Sequence, residues 1–350
     1  MLNRIEKLPL LMSPRDALAR PLRDLRISVL DRCNFRCSYC MPEETLKGKS
    51  PFLSKKELLG DDELQRVARA FAGLGVTKIR LTGGEPLLRP GFCELVRKFS
   101  TIPGVDDLSM TTNGILLPKF AVRLAEAGLN RITVSLDSLD EAVFARMSGN
   151  RGSAAEVLRG IEAAEAAGFN KLKINCVVQR GVNDHTVMNM LEHFRGTDHT
   201  LRLIEFLDVG SSNQWEKTRV VPGDEWLKRI KKRWQIRPLK RSQAGETARR
   251  YAYEDGQGEF GLINSISQPF CGNCSRARIT ADGTLYTCLF SRKGIPLRPL
   301  LRKQNGDQVD MRALESFIRR AWSVRDDRYS KLRHLNNDKG AGQEMYRMGG

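Results

Sequence analysis

The 350-residue chain carries 58 Lys and Arg against 41 Asp and Glu, a formal charge of +17, with an ordinary apolar fraction of 41%. That length accommodates one large α/β domain, or a core domain with a smaller companion. No run of about 18 apolar residues is present to cross a membrane, and the opening MLNRIEKLPLLMSPRDALARPLRD lacks the apolar core of a secretory signal. A cytoplasmic protein is expected, in which eight cysteines serve metals or catalysis rather than disulfides.

Residues 1–23 read as an N-terminal extension. From 24 to 209 two textures alternate. DLRISVLD, KIRLTG, DLSMTTN, RITVSLD, KLKINCVVQ and LRLIEFLDV read as strands; ELQRVARAFAGLG, PKFAVRLAEAGL and AAEVLRGIEAAEAAG read as helices, with Gly75, Gly128 and Gly168 at the C-cap positions. Repeated βα units predict a parallel sheet with helices outside. Six units fall short of the eight of a closed barrel. The expected fold is therefore an incomplete (β/α)6 TIM-like barrel, with an open doubly wound sheet as the alternative.

Unusual residues follow the predicted strands. The first is followed by DRCNFRCSYCMP, with Cys33, Cys37 and Cys40 spaced C-x3-C-x2-C and no nearby fourth ligand. TGGEP ends the second, TTNG the third and SLDS the fourth. These are the carboxyl ends of parallel strands, where such barrels build their active sites. After residue 209 the rhythm breaks, and residues 210–350 read as a C-terminal domain covering the open side. There WLKRIKKRWQIRPLKR interleaves basic residues with Trp226, Ile230 and Trp234 at roughly helical spacing, so one face is core. Further on, FCGNCSRARITADGTLYTCLF supplies Cys271, Cys274 and Cys288, again three thiols without a fourth. The remaining Cys93 and Cys176 sit among apolar residues and read as small core side chains.

Three ligands leave one iron of a [4Fe–4S] cubane free, whereas a structural zinc site uses four. C-x3-C-x2-C after a first barrel strand, followed by GGEP, resembles the radical S-adenosylmethionine (SAM) enzymes. There the free iron chelates the methionine part of the cofactor, and the cofactor supplies the hydrogen-abstracting radical. In that light Tyr39 either lies against the adenine or merely covers the cluster. Gly84 lets backbone approach the ligand, Glu85 offers an acceptor to the cofactor's ammonium, and Ser135 either binds its carboxylate or caps the next helix.

Two three-cysteine sites, the SRAR segment between the last cysteines and a terminal GG resemble more closely the GTP 3′,8-cyclase family of molybdenum cofactor synthesis, from about residue 22 to Gly350. The resemblance implies two [4Fe–4S] clusters, SAM and GTP, with guanine on the second cluster. It also implies hydrogen abstraction from the ribose 3′ carbon and closure onto guanine carbon 8. GTP is expected on Arg26, Arg80, Thr111, Lys173, Arg276, Arg278 and the backbone of Ala277. Asn175, Arg202 and Leu207 are expected near SAM, Leu207 standing where the family usually has methionine. The double-glycine tail, Gly349 and Gly350, is expected in the active site. Partners so implied are a flavodoxin or ferredoxin as electron donor and a downstream cyclic pyranopterin monophosphate synthase, with no membrane, no nucleic acid, and a monomer or homodimer. Two other readings compete: a radical enzyme acting on a peptide, and a basic zinc-binding nucleic-acid module.

Overall fold

A computed structural model of the chain describes residues 13–46, 52–241, 245–302, 309–333 and 342–349. Six strands appear where the sequence places them, with helices between them, three of which match the expected stretches: β1 (Asp24–Ser28), α1 (Asp61–Gly73), β2 (Lys78–Thr82), α2 (Phe92–Ser100), β3 (Asp107–Thr112), α3 (Leu117–Glu126), β4 (Arg131–Ser135), α4 (Glu141–Ser148), α5 (Ala154–Ala166), β5 (Lys173–Val178), α6 (Val187–Phe194) and β6 (Thr200–Glu205). Local chemistry sets their ends. Glu63 Oε2 accepts from the Gly60 N–H at 2.7 Å ahead of α1, and Asp140 and Ser153 accept from Val143 and Glu156 N–H groups at the starts of α4 and α5. Gly75, Gly128 and Gly168 hold φ of +88°, +87° and +95°, closing α1, α3 and α5 as expected.

β1 to β6 lie side by side in chain order, all parallel. Strand alternation then sorts the side chains. Ile27, Leu81, Met110 and Ile132 form one buried register row, and Val134, Ile174 and Leu201 continue it under the helices. The intervening positions, Arg26, Arg80, Ser109, Thr133 and Lys173, carry polar groups on the opposite face. The apolar core therefore sits between sheet and helices, while the other face is polar.

The chain beyond β6 continues through α7 (Gly223–Lys231), β7 (Ile236–Pro238), β8 (Arg249–Tyr253), β9 (Glu259–Ile263), β10 (Arg276–Ile279), β11 (Thr284–Tyr286), β12 (Ile295–Pro296), α8 (Arg298–Leu301), α9 (Met311–Ser323), α10 (Tyr329–Leu332) and α11 (Met345–Met348). Its strands do not form a sheet of their own. β10 pairs in parallel with β1 and β9 in parallel with β6, so residues after 209 extend the first sheet at both edges. Trp226 and Ile230 on α7 are buried as their spacing requires; Trp234 lies past the helix end and is only partly covered.

Candidate active site

The three-cysteine loop leaves the end of β1 and lies against the end of β2. Gly84 N–H donates to Leu30 O at 2.7 Å and Glu85 N–H to Arg32 O at 2.8 Å. A Cβ on Gly84 would fall 2.2 Å from Arg32 O, so only glycine permits this approach. Cys33, Cys37 and Cys40 all face one cavity of about 290 Å³ at the carboxyl ends of the strands. Burial first, then the carboxylates of Glu85, Asp137 and Glu344 and the neighbouring thiols, push their thiol pKa values up, that of Cys33 to about 12. A positively charged metal centre would reverse that preference, because a thiolate is its ligand. Among the described residues no His, Cys, Asp or Glu trio is gathered as a single-ion site. The donor set fits a cubane, whose ligands stand wider apart than those of one ion.

Glu85 lines the cavity and is also built into the sheet ends. Its buried carboxylate accepts from Thr112 Oγ1 at 2.9 and 3.0 Å, from Asn113 N–H at 2.8 Å and from Leu87 N–H at 3.0 Å, tying the end of β2 to that of β3. Burial still raises its pKa to about 7 against those bonds. Tyr39 is likewise pinned: its hydroxyl donates to Asp137 Oδ2 at 2.8 Å, while Asp137 Oδ1 accepts from Val177 N–H at 2.8 Å. Asp137 escaped the sequence reading although it lies in the SLDS stretch two residues after Ser135. Its signal was a carboxylate at a strand end, overlooked beside a more familiar serine.

Cys271 and Cys274 stand in the turn before β10 and Cys288 follows β11; the antiparallel β10–β11 pair brings Cys288 back toward Cys274. Arg20 donates to Cys271 O at 2.8 Å and Arg325 to Cys274 O at 2.9 Å, while both guanidiniums pair with buried Asp16. Burial raises the Cys288 pKa to about 12. For Cys274 burial also pushes upward, but Arg276 and Arg325 outweigh it and the net shift is downward. Three sulfurs beside guanidiniums fit a second cluster. They do not line the cavity themselves; their neighbours Phe270 and Leu289 do.

Basic side chains converge on the same cavity. Arg278, Arg26 and Arg80 are successive register partners across β10, β1 and β2, and Arg276 stands opposite Asp24. Ala277, between the two β10 arginines, is fully buried and does not line the cavity. Arg80 reaches the hydroxyls of Thr111 at 3.4 Å and Thr133 at 3.3 Å. Arg202 on β6 donates to Asn175 Oδ1 at 2.6 Å, and Asn175 pairs in register with Ser135. Burial, then mutual repulsion, lowers Arg80 to about 10, Arg202 and Arg278 to about 9, and Lys173 to about 7. So many desolvated cations are costly unless an anion joins them.

The cavity brings together Tyr39, Gly84, Glu85, Ser135, Asn175, Arg202, Leu207, Arg26, Arg80, Thr111, Arg276 and Arg278. Lys173 lies two residues before Asn175 on the same face of β5, outside the lining. Gly349 is placed against the end of β2, where an added Cβ would lie 2.3 Å from Thr82 Cγ2; Gly350 falls outside the described residues. Of the two cysteines read as core, Cys176 is fully buried but Cys93 is only partly so, on α2 near the surface.

Residues 27–194 match the radical SAM superfamily model, and residues 199–331 match the model described as Molybdenum Cofactor Synthesis C. The chain is 52% identical over 336 residues to a GTP 3′,8-cyclase of Xanthomonas axonopodis pv. citri, covering 96% of this chain and 98% of that one. It is 49% identical to one of Acidothermus cellulolyticus (93% and 90% covered) and 46% identical to one of Staphylococcus saprophyticus (91% and 92%). In fold it resembles Streptococcus suis SuiB bound to S-adenosylmethionine, with a TM-score of 0.60 at 16% identity over 90% of this chain and 68% of that one.

Proposed function

The chain belongs to the GTP 3′,8-cyclase family of radical SAM proteins, and from that premise we propose that it converts GTP to (8S)-3′,8-cyclo-7,8-dihydroguanosine 5′-triphosphate, the first step of molybdenum cofactor biosynthesis. In class it is a lyase. The observation that carries this reading is the register row Arg278–Arg26–Arg80 on the same cavity as Cys33, Cys37 and Cys40. A triphosphate carries close to four negative charges, and guanidinium forks grip its oxygens in pairs.

The first cysteine trio would hold a [4Fe–4S] cluster and the second trio another; bound with SAM, the first supplies one-electron chemistry that removes hydrogen from the ribose. The chain's own residues do the positioning. Tyr39, Ser135, Asn175, Arg202 and Leu207 would surround SAM, and Gly84 admits it close to backbone. Arg26, Arg80, Arg276, Arg278, Thr111 and Lys173 would hold GTP, with the phosphates answering the buried positive charge. Arg276 and Arg278 follow the second cysteine loop directly along β10, so a guanine near Cys274 and phosphates over β1 and β2 would span the cavity. Gly349, with Gly350 after it, would border the reacting ribose.

In the cell the reading implies a cytoplasmic enzyme reduced by a flavodoxin or ferredoxin, handing its product to cyclic pyranopterin monophosphate synthase. The test is anaerobic reconstitution followed by mass spectrometry of products from GTP and SAM. Formation of the cyclised triphosphate together with 5′-deoxyadenosine is expected; deoxyadenosine without any GTP-derived product overturns the substrate assignment.

A further inference from the structure

The C-terminal segment is held by contacts beyond those of the site residues above. Helix α11 has only four residues, too few to be stable alone, so its place is set by tertiary contacts: Met345, Tyr346 and Met348 are buried, and both ends are gripped. At its start Glu344 does not cap the helix; its side chain turns outward, and Oε1 accepts from the N–H and the hydroxyl of Ser211, both at 3.1 Å. The receiving loop is shaped for that carboxylate. Gly210 has φ +76°, and a Cβ on it would sit 2.3 Å from Glu344 Oε2.

At the other end of α11, Arg278 donates to Met348 O at 2.9 Å, and Gly349 lies on Thr82. The segment thus runs from the loop after β6 to the ends of β10 and β2. The loop end is itself fixed. Arg333 forks onto Asp208 at 2.8 and 2.9 Å, and Asn213 donates to Leu207 O at 2.9 Å. Leu207 and Met345 both face the cavity, one on each side of the Glu344–Ser211 contact.

We propose that Glu344 is a positioning residue for the reaction. By fastening the start of α11 to Ser211, it sets how far Met348 and Gly349 reach along the cavity and keeps Arg278 turned toward the mouth. The activity part of this inference rests on the cyclase reading; its structural part does not.

Three full-length variants test it: Glu344→Ala, Glu344→Gln and Gly210→Ala. Glu344→Ala removes the acceptor, whereas Gly210→Ala expels the carboxylate from the loop side with the tail sequence intact. Glu344→Gln keeps an amide oxygen for the Ser211 N–H. Limited trypsin digestion without substrate reads release of the tail as cleavage after Arg347, detected by mass. Cleavage several-fold faster in the two alanine variants, and close to the parent rate in Glu344→Gln, is expected. In the reconstituted enzyme the alanine variants should lose about tenfold in kcat with the KM for GTP nearly unchanged. Parent-like cleavage in both alanine variants overturns the fastening. Accelerated cleavage with an unchanged kcat overturns the positioning role.

Discussion

Arg26 on β1 and Arg80 on β2 are direct partners in the parallel register, two guanidiniums side by side on one face of the sheet. Burial depresses the pKa of both, and Arg276 adds repulsion to each. Adjacent like charges normally destabilise a sheet. On the proposed reading a bound polyanion would offset that repulsion.

GTP should therefore bind far more tightly than guanosine, since the arginines address phosphate. Charge-assisted hydrogen bonds contribute roughly 1.5–3 kcal/mol, so Arg276→Ala should weaken GTP binding by about tenfold or more. Equilibrium dialysis with both ligands checks this; equal affinity for guanosine and GTP would sink the assignment.

Lys173 supplies a pH signature. Burial, then Arg202, Arg131 and Arg80, lowers its amine to about 7. A bound triphosphate restores the cation, so binding should take up protons above pH 7, and little below it. Calorimetry at pH 8 in buffers of different ionisation enthalpy should show this uptake, diminished in Lys173→Met. The same shift acts on folding. Between about 7 and the ordinary lysine value of 10.5 the unfolded chain binds more protons at this site, so the ligand-free protein gains stability as pH rises through that window.

Each cysteine trio can hold one cubane, so about eight irons per chain are expected in protein prepared without oxygen. Replacing Cys33, Cys37 and Cys40 together with alanine should leave about half the iron and abolish deoxyadenosine formation. The second trio is held through Arg20, Arg325 and Asp16, which that change does not touch. Iron analysis giving only one cluster in the parent protein would refute the two-cluster arrangement.

Gly349 should tolerate no side chain. Its φ is +77°, and a new Cβ would meet Thr82 Cγ2 at 2.3 Å. Gly349→Ala should suppress cyclisation about a hundredfold, as small misplacements of reacting groups do, while iron content and GTP affinity stay near parent values. Full activity in that variant would mean that the tail does not border the reacting atoms.

Period-two alternation, helix amphipathicity and glycine C-caps are local signals, and they were enough to place β1 to β6 and the helices α1, α3 and α5. The cysteine spacings were equally legible, because a cluster ligand set is written within a few turns of chain. Three features needed the tertiary structure. β9 and β10 join opposite edges of the first sheet, a pairing between segments far apart that no local period encodes. Glu85 spends its carboxylate on Thr112 and Asn113, and Tyr39 leans on Asp137, because strands distant in sequence end at the same height in a parallel sheet. Arg278, Arg26 and Arg80 form a row only through strand register: the sequence by itself determines which residues are arginine, and the hydrogen-bonded alignment of three strands decides that they face one cavity together.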